Sequence, residues 1–354
     1  MVVDGSYDVV VLGGGNAALC AALSAAEQGA KVALIERAPE AKRGGNSKFT
    51  GGGFRMVHHG AQDIKRIVPD LSDADIARTD FGEYSAEEYL DDLGRITQYY
   101  IDPDLAETLV NNSTDTVHWL MGRGVKFLPN YGRQAYNHEG RFKFFGGIVI
   151  YANGGGAGLV ESEYKAAAKN GIAIHYAHAR HGAAAWAERR RGCPRCRRTG
   201  PRRPFARKRL CWPAVGSKPI VNGGRATSAR AGTWRRCEVL ATTLATASAW
   251  RSTSAPSPTG QWSGCHAVAW ERYAGDYGDY DNWHTAGYRH SYPFGLMVNA
   301  DGERFVDEGA DFRNYTYAQI RPRGAGATRK LRLAVVRRTD ASRCCATNTA
   351  ARRD

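Results

Sequence analysis

The stretch Tyr7 to Arg37, YDVVVLGGGNAALCAALSAAEQGAKVALIER, constrains the fold more than any other part of this chain. Val9-Val10-Val11-Leu12 is a short apolar run before glycines, the pattern of a strand buried on both faces of a parallel sheet. Gly13, Gly15 and Ala18 follow at the spacing G-x-G-x-x-A. Ala18, Leu19, Ala22, Leu23 and Ala26 then repeat at helical spacing until Gly29 stops them. Lys31 to Glu36 is a second strand ending in an acid, so the expected class is α/β.

Each of these residues has a task if the turn holds a dinucleotide. Gly13 permits the tight strand-to-helix turn, Gly15 lets the backbone approach a pyrophosphate, and Ala18 lets the helix lie close to the strand. The helix N-terminus offers free N–H groups and the positive end of its dipole. Glu36 stands where an acid can accept hydrogen bonds from the adenosine ribose, with Arg37 beside it. The alternative is a glycine turn in some other α/β protein.

A second glycine-rich loop, Arg43 to Arg55 (RGGNSKFTGGGFR), follows. Five glycines in thirteen residues predict no regular element, and the backbone can pass close to a flat ligand. Asn46, Ser47 and Thr50 add side-chain donors that a mere linker would not need. From Ser72 to Arg123 the pattern is helical. Ser85 to Glu88 is a capping box, and Asp102-Pro103 starts a helix expected to run through Leu120. His118 on that helix has no partner at i±4 and reads as a packed or solvated residue. Val125 to Leu128 and Phe142 to Tyr151 are expected to be extended, Leu159 to Lys169 helical, and Ile172 to Tyr176 a short strand.

Composition matters because of where the charge lies. The chain carries a net +14, which by itself would suggest nucleic acid or an anionic surface. Residues 177–256 supply +16 and 321–354 supply +8, leaving −10 on all the others. Six of the eight cysteines lie in those two segments. Cys193-Pro-Arg-Cys196 lacks the second CxxC or His pair of a zinc site, so no metal is expected. Neither segment shows a stable helical or strand period. They could be basic nucleic-acid-binding insertions, linkers, or translations of a GC-rich gene in the wrong frame, and the third reading explains why patterning stops and resumes abruptly. On it, nucleic acid is not the expected partner. No signal peptide or membrane span is visible, and the body reads as a reduced, cytoplasmic protein.

The loop GGNSKFTGGGFR after a dinucleotide fingerprint, with HSYPFGLMVNADGERFVDEGADFRNYTYA much later, resembles the fumarate reductase and succinate dehydrogenase flavoprotein superfamily, most closely its tricarballylate dehydrogenase branch. The likeness covers about residues 1–176 and 257–320. It implies a Rossmann-type FAD-binding domain interrupted by an α+β capping domain. Residues 1–176 would form the N-terminal part of the FAD domain with a helical insertion, and 257–320 what is present of the substrate or capping domain. An Ala-Thr-Gly-Gly-type turn is not found in 177–256, nor the C-terminal part of the FAD domain after 320.

The resemblance also implies roles. Such enzymes pass a hydride between a substrate carbon and flavin N5 while an arginine takes the proton. The substrate here would be a small polycarboxylate, tricarballylate going to cis-aconitate, with fumarate reductase-like and ketosteroid dehydrogenase-like activities as alternatives. An inactive product binding polyanions nonspecifically is the rival from another class. Gly13, Gly15, Ala18, Glu36 and Arg37 would hold the ADP half, and Gly44, Gly45, Asn46, Ser47, Gly51 and Gly52 would line the flavin. Asn46 stands where relatives carry a covalently attached histidine, which implies non-covalent FAD. His266 would bind a substrate carboxylate, Arg313 would transfer the proton, and Glu308 and Arg304 would belong to its relay. Read without the resemblance, Arg304 and Glu308 equally suit a strand-edge ion pair, and His266 a polar core position. Electrons would pass to a membrane-bound iron–sulfur or quinone-linked partner.

Overall fold

The computed structural model describes residues 6–177, 209–211, 296–298 and 303–310. Its first unit is β1 (Val9–Leu12), α1 (Asn16–Glu27) and β2 (Val32–Ile35). Two 3-10 turns, Glu40–Lys42 and Gly45–Phe49, lead to β3 (Gly53–Phe54). There follow α2 (Ala61–Ile67), α3 (Asp73–Ala77), β4 (Thr79–Asp80), α4 (Ala86–Thr97), α5 (Pro103–Asn111) and α6 (Ser113–Met121). The next elements are β5 (Phe127–Pro129), α7 (Tyr131–Gln134), β6 (Ala135–His138), β7 (Arg141–Phe144) and β8 (Ile150–Ala152). Helix α8 (Gly155–Lys169), β9 (Ala173–His175) and β10 (Arg209–Cys211) complete the described elements.

The main sheet has the order β10-β1-β2-β9 and is parallel throughout, with Val10 facing Ala33 across β1 and β2. β1 and β2 are apolar on both faces as parallel strands require, and the four residues of β2 are all buried. α1 and α8 pack together against the sheet around Leu19, Leu23, Leu34, Val160 and Ala167. β10 lies within 177–256, and its Arg-Leu-Cys sequence carries no strand pattern of its own.

Two small sheets, β3-β8-β5 and β4-β7-β6, share a second core with α2 and α6, centred on Met56, Ile64, Leu120, Val149 and Ile150. Trp119 touches both cores. Its indole N–H donates to Glu27, and Arg123 binds the same carboxylate, fastening the end of α1 to α6. Among the described residues no helix is long and apolar enough to cross a membrane.

Local signals explain most boundaries. Ser85 and Glu88 make the reciprocal capping box of α4, and Asp102 caps α5 with Pro103 in its first turn. The single helix expected from Asp102 to Leu120 is two, interrupted at Asn112. Ser113 bonds back to the Val110 carbonyl and also accepts the Val57 N–H, while the Asn112 amide bonds the Thr108 carbonyl. Short polar side chains thus compete for the backbone where the helix would continue. The glycine-rich loop, expected to hold no regular element, contains the 3-10 turn Gly45–Phe49 and the strand β3; Gly44, at φ +105°, makes the left-handed entry to that turn. Val298 and Arg304 form an isolated antiparallel bridge.

Candidate functional site

The turn out of β1 is the starting point. Gly13 stands at φ +102°, a conformation that favours glycine, and its N–H donates to the Ile35 carbonyl at the end of β2. α1 then begins at Asn16 with no side-chain cap and no acid in its first turn. Its positive end is met instead by the loop that follows. Ser47 of that loop accepts the Asn16 N–H at 3.0 Å.

Glu36 comes to the same place from β2. It is buried, its Oε1 accepts the Ala38 N–H at 2.6 Å, and burial raises its pKa against the opposing pull of the Ala38, Arg37 and Gly14 N–H groups. Gly14 is hemmed in: a Cβ there would stand 2.6 Å from Glu36 Oε2 and closer still to the Tyr164 hydroxyl. Tyr164, on α8, donates to the Gly14 carbonyl at 2.9 Å. The Arg43 guanidinium lies 4.3 Å from the centre of the Tyr164 ring and bonds the Tyr176 hydroxyl, Glu161 and Glu40.

The second glycine-rich loop is held from both sides. α1 grips it through Ser47, and the N-terminus of α8 grips it where the Gly156 N–H donates to the Thr50 carbonyl at 3.0 Å. The Asn46 side-chain carbonyl is buried there without a hydrogen-bond partner. Beside the loop a cleft of about 280 Å³ is lined by Glu40, Arg43, Lys48, Val160 and Glu161 among others. A helix N-terminus whose N-cap residue gives no side-chain cap, a buried acid, two adjoining glycine-rich turns and an unmatched buried acceptor are the fittings of a dinucleotide site.

The residues expected to hold the cofactor, Gly13, Gly15, Ala18, Glu36, Arg37, Gly44, Gly45, Asn46, Ser47, Gly51 and Gly52, are all described and belong to these adjoining turns and the elements they lead into. Arg37 is exposed, and both its backbone N–H and its charge act on the Glu36 carboxylate. His266 and Arg313 lie outside the described residues. Arg304 and Glu308 form an ion pair through Nη2 at 2.7 Å and Nε at 3.0 Å, and Glu308 also accepts the Met297 N–H.

Sequence reading missed Tyr164, Arg43 and Glu163. Glu163 and Tyr164 interrupt the otherwise apolar buried face formed by Leu159, Val160, Ala166 and Ala167, and buried polar residues on such a face were the available signal. It also missed Arg55, which bonds Tyr84 at 2.6 Å and Asp92 at 2.9 Å and so ties the end of the loop to α4.

Comparison with known proteins agrees with this geometry. The family model described as FAD binding domain matches residues 8–191. A fumarate reductase (cytochrome) of Shewanella frigidimarina is 34% identical over 120 residues, 34% of this chain and 18% of that protein. A vinyl phenol reductase of Lactiplantibacillus plantarum is 34% identical over 122 residues, 34% of this chain and 21% of the other. The chain thus spans about a fifth of the length of these relatives. The fold is similar to that of the 3-ketosteroid-Δ4-(5α)-dehydrogenase of Rhodococcus jostii, with a TM-score of 0.57 and 16% identity over 90% of this chain and 63% of that one. Since the family model covers more than half of the chain and falls on the elements that build the site, the chain belongs to the FAD binding domain family.

Proposed function

We propose that the chain is an FAD-dependent oxidoreductase acting on a small polycarboxylate, with tricarballylate, oxidised to cis-aconitate, the first compound to try. The observation that carries this reading is the convergence of the uncapped α1 N-terminus, the buried Glu36 and the doubly held glycine-rich loop on Gly14 and Ser47. Bound there, FAD supplies two-electron redox chemistry. The chain's own groups hold it: the first turn of α1 takes the pyrophosphate, Glu36 the ribose hydroxyls, and the segment Gly44 to Gly52 runs beside the flavin. Asn46 offers a carbonyl acceptor and no nucleophile, so the cofactor is held non-covalently. The parallel pairing of β1 with β2 and of β2 with β9 supports a Rossmann-type domain, into which a capping domain is inserted.

Arginine and histidine suit a polycarboxylate because they pair with carboxylates as charged donors. His266 binds a substrate carboxylate, Arg313 takes the proton, and the Arg304–Glu308 pair belongs to its relay. A membrane-bound iron–sulfur or quinone-linked protein accepts the electrons, and the chain works in the cytoplasm. Segments 177–256 and 321–354 are out-of-frame sequence, which reading the gene across those codons checks directly. The relatives' names keep fumarate, vinyl phenols and ketosteroids among the substrates to compare.

The test is a titration of the purified chain with FAD, followed by quenching of flavin fluorescence, then acid precipitation. Saturable binding with yellow flavin released to the supernatant is expected. Absence of binding sinks the reading, and flavin kept in the pellet overturns the non-covalent part. Anaerobic bleaching by tricarballylate, compared with reoxidation of reduced flavin by fumarate or a vinyl phenol, then sorts the substrates.

A further inference from the structure

Glu163 on α8 is fully buried, at 0% exposure, and pairs with no cation among the described residues. Its Oε1 lies 3.3 Å from the Cys20 thiol, and its Oε2 has no partner. The same thiol lies 3.4 Å from Oδ1 of Asn16, one turn earlier on α1. Asn16 is the first residue of α1, and its N–H is the one that reaches Ser47 in the loop. A line of polar atoms therefore runs up the interface of α1 and α8 to the N-terminal end of α1.

A thiol has one hydrogen, and here two acceptors compete for it. A neutral Glu163 can donate its own O–H to sulfur, which frees the S–H for Asn16. An ionised Glu163 is an acceptor only, so it claims the S–H and leaves Asn16 without it, its own proton having gone to solvent. It also places a negative charge beside a helix whose first turn must hold two phosphates. Burial favours the neutral form, while the Cys20 thiol that faces it from α1 pulls the other way. Tyr164 adjoins it on α8, with Glu36 acting on Tyr164 in turn. Arg123, after α6, acts on Cys20 from a distance but is bound to Glu27. Burial pushes the Glu163 carboxyl up to about 8.

Resting on the dinucleotide reading, we infer that Glu163 is a positioning residue for the cofactor. Uncharged, it aims Asn16 and the first turn of α1 at the pyrophosphate by way of Cys20, and ionised it loosens that end.

The experiment uses the full chain and ADP as the probe, with calorimetric titration from about pH 6.5 to about pH 9.5. The wild type should lose about tenfold in affinity across that range, in step with a group titrating near the value given above. Glu163→Gln, which keeps a donor but cannot ionise, should give a flat profile, and Cys20→Ala should bind more weakly with a flattened one. A wild type without pH dependence, or a Glu163→Gln profile that follows the wild type, overturns the inference alone. A second reading needs no ligand: the difference in Tm between wild type and Glu163→Gln should change between the same two pH values, and a constant difference also overturns the inference. If neither protein binds ADP at any pH, the dinucleotide reading falls and takes this inference with it.

Discussion

The Tyr164 hydroxyl donates to the Gly14 carbonyl across 2.9 Å, joining residues 150 positions apart at the mouth of the site. Tyr164→Phe removes that bond but leaves the ring against Arg43, and should cost about 1 kcal/mol. Gly14→Ala drives a methyl group into the Tyr164 hydroxyl and Glu36 and should cost about 1–3 kcal/mol, with FAD binding lost as well. Urea midpoints, together with FAD titrations, check both.

Stability should depend on pH in a recognisable way. Burial places Glu163 at about 8 in the folded chain against 4.5 for the free side chain. The folded state therefore keeps a proton that the unfolded chain releases, and stability falls as pH rises from about 4.5 to about 8, on the order of 5 kcal/mol in all. His58 acts the other way. Burial pulls it down to about 4 from 6.5, so stability is lost as pH falls through that window. The two offset each other below about pH 6.5, and a decline in Tm is expected above it. Glu36, also raised by burial, contributes with the sign of Glu163. Thermal melts should show Glu163→Gln without most of the decline above pH 6.5 and with a new fall on the acid side.

Arg55 and Asp92 are an ion pair with side chains only 15% and 12% exposed, and the Tyr84 hydroxyl bonds the same Asp92 oxygen. Asp92→Asn strands a nearly buried guanidinium, and about 3 kcal/mol should be lost. Its urea midpoint should fall with the slope unchanged, whereas a changed slope would mean that the loop between Gly51 and Arg55 had come apart as well.

The cap of α4 offers a smaller, local test. Ser85→Ala removes the acceptor for the Glu88 N–H and half of the capping box, and a loss of about 1 kcal/mol is expected. Glu88→Gln keeps the geometry of the box and should lose much less, as thermal unfolding of the two variants would show.

What could be read in the sequence was what short-range chemistry decides. Val9 to Glu36 announced strand, turn, helix and strand because their periods and glycines are local, and Ser85 and Asp102 announced helix starts for the same reason. The break at Asn112 was hidden because it depends partly on Val57, more than fifty residues away. Tyr164, Glu163 and Arg55 were hidden likewise, since their partners are set by the packing of α8 and α4 and not by spacing along the chain. β10 pairs in parallel with β1 although its sequence has no legible strand pattern.

The loop from Gly44 to Gly53 is gripped by two helices that begin at Asn16 and Gly155. Its shape therefore depends on closing a stretch of well over a hundred residues, a slow, non-local step. A nascent chain that has emerged only as far as β7 would own the fingerprint turn but not the surface that accompanies it. Affinity for the cofactor should thus arise late in folding and all at once, and bound flavin would serve as a timer for docking of α8.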